Sequence, residues 1–250
     1  MGRAHEVRAA SMAKTAAAKS KLNNKWSRLI YMAAKGGVPD PDLNQSLKNT
    51  IDKAKKEQVT ADVIKRAIDK AKGADQTSYT PIMCEGFGPG ASQFVIECLT
   101  DNHNRTQTDV KVALQRCGGK IATSGSVTYS FDHLAIFSFK GLGEEDALMA
   151  LLDADCEPSD SYTEKDEETG EDIVTIEADY SEYSKIREAL LGVDENLDFV
   201  TDEIAWVAQN MVDLVDDKEK EQFERLLALL DECDDVQDVY YNVNYEAPEE

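Results

Sequence analysis

Arg3, His5, Arg8, Lys14, Lys19, Lys21, Lys25, Arg28 and Lys35 crowd the first stretch of the chain, with Glu6 the one acid against them. Phosphate contact needs many weak cations on one surface, each releasing a condensed counterion, and this segment supplies them. These residues are candidate nucleic-acid contacts; a solvated helix face would have the same composition. Arg105 is a further candidate. It follows Asp101-Asn102-His103-Asn104 and precedes Thr106, where a strand gives way to a helix capped by Asn104 or Thr106. A cation at a helix start opposes the dipole. Arg105 is therefore held there by an anion or by a buried carboxylate, and the sequence favours the carboxylate.

Other chemistries find little support. Gly86-Phe87-Gly88-Pro89-Gly90-Ala91 fits G-x-G-x-x-A. A dinucleotide fingerprint must follow a strand and open a helix. Here Pro89 interrupts it and a strand follows, so it reads as a glycine turn. His5, His103 and His133 are isolated, without metal-ligand spacing. The acidic runs from Asp153 and Asp194 lack the glycine of a calcium loop. There is no G-x-S-x-G and no Walker loop. The chain reads as a non-enzyme, with no catalytic, cofactor-binding or metal residue assigned.

The elements that carry these residues follow from periodicity. Glu6–Ser20 has good helix composition, and Leu22, Trp26, Leu29, Ile30 and Ala33 form one stripe of a helix that Gly36-Gly37 stops. A third helix is expected from Pro41 to Glu57, and a fourth after Thr60 as N-cap, closed by Gly73. Beyond the bundle, strands are expected at Gln93–Leu99, Ser126–Phe131, Leu134–Phe139, Glu157–Thr163, Ile173–Glu177, Leu197–Trp206 and Val236–Val243. Helices are expected at Thr106–Arg116, Glu144–Leu152, Tyr183–Leu191 and Lys218–Leu230. Leu134 to Trp206 thus spells β-α-β-β-α-β, the order of a ferredoxin-like unit. The flanking pieces can build a second sheet around it.

Of the 250 residues, 49 are acidic and 27 basic, for a net charge of −22. This is uneven: +8 over residues 1–75, zero over 76–140 and −30 over 141–250. Screening acts over about 8 Å at physiological salt, so local charge decides contact and the total does not exclude nucleic acid. It does keep phosphate off the acidic stretch, which suits a basic protein instead. No apolar run is long enough to cross a bilayer. The five cysteines are widely spaced, which suggests reduced thiols and a cytoplasmic location. The Ala- and Ser-rich basic start also fits an organellar transit peptide, the alternative location.

Several motifs carry a resemblance. They are Cys84-Glu85-Gly86-Phe87-Gly88-Pro89-Gly90, Glu97-Cys98-Leu99-Thr100-Asp101-Asn102-His103-Asn104-Arg105-Thr106, Cys117-Gly118-Gly119 and Gly125-Ser126-Val127-Thr128-Tyr129-Ser130-Phe131. With Gly37-Val38-Pro39-Asp40 and Leu229-Leu230-Asp231-Glu232-Cys233-Asp234-Asp235-Val236, they resemble the YebC/PmpR family along nearly the whole chain. The start departs from that pattern: many members open on Gly-His-Ser-Lys-Trp, whereas the tryptophan here is Trp26. The resemblance implies an α+β fold: an N-terminal helical bundle, then two ferredoxin-like α/β domains, one inserted in the other. The expected boundaries are residues 1–78 for the basic helical domain, 79–132 plus 208–250 for the discontinuous domain, and 133–207 for the inserted acidic one. It also implies a regulator of gene expression. A ribosome-associated translation factor that eases stalling at proline-rich stretches is favoured, with ribosomal RNA bound by the basic domain and basic ribosomal proteins met by the acidic ones. A DNA-binding transcriptional regulator is the alternative, and an acidic protein-interaction scaffold the third reading. No cofactor and no membrane partner are expected.

Overall fold

A computed structural model describes the backbone of residues 3–73, 78–166 and 169–245, and side chains from residue 19 onward. The chain forms two compact units. The first comprises Met1–Cys84, Ile96–Ile121 and Glu221–Val239; the second comprises Glu85–Val95, Ala122–Lys220 and Tyr240–Glu250.

The first unit opens with one helix, α1 (Arg3–Lys35), where the sequence suggested two in succession. No glycine or proline lies between the two expected segments, so nothing stops the helix before Gly36. Trp26, Ile30, Tyr31 and Ala34 are its buried face. They pack with Leu47, Ile51 and Ala54 of α2 (Gln45–Lys56) and Ile64, Ala67 and Ala71 of α3 (Ala61–Lys72). The Trp26 indole N–H donates to Glu57 at 2.8 Å. Helix α2 begins at Gln45, later than expected, because Asn44 caps it. The Asn44 side chain accepts from Leu47 N at 3.0 Å and donates to the carbonyls of Ala33 and Val38, both at 2.9 Å. One amide thus caps α2 and ties it to the end of α1. Thr60 occupies the N-cap of α3, but its side chain makes no capping bond.

Strands β1 (Thr80–Phe87) and β2 (Gln93–Thr100) flank the glycine run. Gly88 N donates to Ser92 O at 2.9 Å, and Gly90 has φ +62°. A Cβ on Gly88 would come within 2.4 Å of the Phe94 ring, so the backbone needs glycine there. The run is the turn that the sequence suggested. Helix α4 (His103–Arg116) starts earlier than expected. Its cap is Asn102, accepting from Arg105 N at 3.2 Å, in place of Asn104 or Thr106. A short strand β3 (Lys120–Ile121) follows.

The expected strand Ser126–Phe131 does not form; a single 3₁₀ turn, Thr128–Ser130, replaces it. The cause is Glu85, which is buried. Its carboxylate accepts from the backbone N–H groups of Gly125 and Val127, both at 2.6 Å, and of Thr128 at 3.0 Å. Those groups are therefore not available to a strand ladder.

The rest of the second unit runs β4 (Phe131–Lys140), α5 (Glu144–Asp153), β5 (Asp160–Lys165), β6 (Asp172–Asp179), α6 (Tyr183–Val193) and β7 (Asp198–Ala208). The strands pair antiparallel in the order β5-β6-β4-β7. In order of appearance this is 2-3-1-4, the ferredoxin-like arrangement read from the sequence. Phe137 and Phe139 of β4, Ile176 of β6, Leu151 of α5, and Ile186 and Leu190 of α6 form its core. Gly170, at φ +71°, turns the β5–β6 hairpin. Helix α7 (Asp217–Asp231) and strand β8 (Val236–Tyr241) follow, and the other sheet has the order β3-β1-β2-β8.

Candidate nucleic-acid interface

Of the sequence candidates, the side chains of Arg3, His5, Arg8 and Lys14 lie outside the described residues. Lys19 is exposed. Lys21, Lys25 and Arg28, spaced i, i+4, i+7, form a stripe along α1. Within the first unit each meets an acid from the end of α7, from the turn into β8 or from β8 itself. Lys21 pairs with Asp231, and Lys25 with Asp238 at 2.6 Å. Arg28 Nη1 donates to Asp235 at 2.8 Å and to the carbonyls of Asp234 and Leu99 at 2.8 and 3.0 Å. Lys35, at the end of α1, is exposed and holds its ammonium 5.7 Å from the centre of the Tyr31 ring.

Arg105 reaches the same carboxylate. Its Nη2 donates to Asp235 at 2.7 Å and to Asp101 at 2.8 Å. Thr106 and Thr100 add hydroxyl bonds to Asp235 at 2.7 and 3.0 Å. The Asp235 side chain is only 6% exposed. Burial pushes its carboxyl up. The bonds from Arg105, Thr106 and Thr100 and the charge of Arg28 outweigh that and leave it below the ordinary aspartate value. Of the two readings open for Arg105, the buried carboxylate is the one realised. Arg105 itself stays half-exposed.

Thus Lys21, Lys25 and Arg28 form a stripe of cations on α1, and each is matched by a carboxylate. Sequence reasoning found the cations and missed Asp231, Asp235 and Asp238. These lie in an acidic run that composition alone assigns to a solvated surface.

The second unit holds one further arrangement of titratable and aromatic groups. The His133 ring lies between Tyr180 (4.1 Å, 20°) and Trp206 (4.2 Å, 1°). Burial pushes the imidazole below its ordinary value, against the opposing pull of Asp179. In a Trp26→Phe background the emission of Trp206 is therefore expected to fall on acidification, as imidazolium forms against the indole. The midpoint is expected below 6.5 and the transition is absent from His133→Gln. A midpoint at or above that value contradicts burial as the dominant influence on His133.

Among the described residues, no group of three or more His, Cys, Asp or Glu is arranged to hold a metal ion. The five cysteines are free thiols. No helix there is long and apolar enough to cross a membrane.

Comparison with known proteins places this geometry among relatives. Residues 3–74 match the family model described as the TACO1/YebC protein N-terminal domain, and residues 79–243 match that of the TACO1/YebC second and third domain. A protein of Acholeplasma laidlawii named "Probable transcriptional regulatory protein" is 49% identical over 243 residues, covering 97% of this chain and 98% of its own. One of Vibrio cholerae with the same description is 45% identical over 246 residues, covering 98% and 100%. The crystal structure of a conserved hypothetical protein from Aquifex aeolicus superposes with a TM-score of 0.69 at 28% identity, covering 92% of this chain and 91% of that one.

Proposed function

The chain belongs to the TACO1/YebC family, and we propose that it is a non-enzymatic regulator of gene expression that contacts nucleic acid through the basic face of α1. The observation that carries this reading is the Lys21–Lys25–Arg28 stripe, set on one ordered helix and extended by the exposed Lys19. Cations at helical spacing meet successive phosphates without reading bases. Folded ribosomal RNA is recognised largely through shape and backbone, which suits such a face. The favoured role is a ribosome-associated translation factor that eases stalling at proline-rich stretches in the cytoplasm. Proline is a poor nucleophile, and a factor without catalytic groups would act by positioning the reactants. The names of the relatives favour a second reading, a transcriptional regulator bound to DNA. That binding would rest on the backbone and weaken steeply with salt.

The test is crosslinking in cells followed by sequencing of the bound nucleic acid, with wild type and with Lys14→Glu, Lys19→Glu, Lys21→Gln, Lys25→Gln. Gln is used at the last two positions because Glu would repel Asp231 and Asp238. Wild type is expected to enrich ribosomal RNA, and the variant to lose at least about tenfold of that signal. Promoter DNA in place of ribosomal RNA supports the transcriptional reading. Recovery that the substitutions leave unchanged refutes the α1 interface and promotes the acidic scaffold.

A further inference from the structure

Within the first unit, α4 and the C-terminal end of α7 enclose an open groove of about 670 Å³. Val112 and Ala113 of α4 and Leu229 and Cys233 contribute its apolar lining. Val112, 37% exposed, is the most exposed of these four, and Ala113 is buried. At one end Arg28, Arg105, Asp101 and Asp235 neutralise one another. That leaves Asp109, Glu232 and Asp234, whose carboxylates have no hydrogen-bond or ion-pair partner among the described residues, against Arg116 alone.

We propose that this groove docks a lysine- or arginine-bearing amphipathic segment of a protein partner. The apolar lining takes the aliphatic side chains, and the free carboxylates take the basic ones. The surplus of negative charge disfavours phosphate inside the groove, which borders the α1 stripe at Arg28; the proposal does not rest on nucleic-acid binding. The thiol of Cys233 reports the same field. Burial, then Asp109, and more weakly Asp235 and Glu232, push it up to about 11 against the pull of Lys21. A cation entering the groove opposes that field.

The probe is a fluorescein-labelled helical peptide of about four turns, with leucine on one face and lysine on the other, titrated with the full chain and read by anisotropy. Saturable binding is expected. Asp109→Asn, Glu232→Gln, Asp234→Asn is expected to weaken it about tenfold. A control triple on the exposed face of α5, Glu145→Gln, Asp146→Asn, Asp153→Asn, is expected to change it less than about twofold. Thermal melts confirm that both variants fold. Absence of binding to wild type, equal loss in both triples, or equal binding of a serine–lysine peptide overturns the proposal. The last two outcomes would mark the attraction as one of bulk charge.

Discussion

Asp235→Ala is expected to lower the free energy of unfolding by about 3 kcal/mol, read as a drop in the urea midpoint at unchanged slope. The carboxylate is nearly inaccessible and gathers four donors from three parts of the chain: Arg28 on α1, Thr100 at the end of β2, and Arg105 and Thr106 on α4. Arg105 is half-exposed and keeps Asp101, so its share of the loss is small. Arg28 is 17% exposed and keeps two carbonyls and the face of the Tyr79 ring but no anion, while two threonine hydroxyls lose an acceptor. A buried charge deprived of its partner dominates that loss. Asp235→Asn preserves shape and part of the hydrogen bonding and is expected to cost less. Arg105→Ala is expected to cost about 1 kcal/mol or less, as an exposed pair does. A loss in Asp235→Ala no larger than in Arg105→Ala would refute the assignment of Asp235 as the centre of this cluster.

The same carboxylate sets an acid dependence. Asp235 and Glu85 both lie below their ordinary values of 3.8 and 4.5. For Glu85, burial raises the carboxyl and the three backbone N–H bonds outweigh it. A depressed folded value means that the unfolded chain binds protons first. The stabilisation is then complete above the ordinary values and is lost as pH falls through the depressed ones. Wild type is expected to lose stability more steeply than Asp235→Ala on acidification through that window, until the two converge.

What the sequence made legible was local. The ferredoxin-like unit was readable because its strands alternate, its helices keep one apolar face, and Gly170 marks a turn. Strand β1 was missed because its buried residues include Glu85 and Gly86, which no hydrophobic pattern selects. Ser126–Phe131 alternates like a strand, yet the amides of Val127 and Thr128 are taken by a carboxylate some 40 residues upstream. The interface divides in the same way. The cations of α1 stand out in composition, but their partners lie 207, 210 and 213 residues further on. Pairing at that range is fixed by the tertiary fold, and one sequence does not record it.

Asp231→Asn with Asp238→Asn is expected to tighten binding to folded ribosomal RNA by about 3- to 30-fold at physiological salt, measured by filter binding. In wild type, Lys21 and Lys25 can reach phosphate only by leaving a carboxylate. Each partly exposed pair opposes binding by about 0.2–1 kcal/mol, and each acid also repels the incoming phosphate. Neutralisation removes both terms, so the gain is expected to shrink as salt screens the charges. Lys21→Gln with Lys25→Gln, added to the same background, is expected to erase it. A gain that survives those substitutions would assign the effect to a lower overall negative charge. No gain at all would leave these two lysines as internal braces and confine phosphate contact to the rest of α1. The α7–β8 acids hold these cations in one stripe, and on the proposed reading they would also compete with phosphate for them.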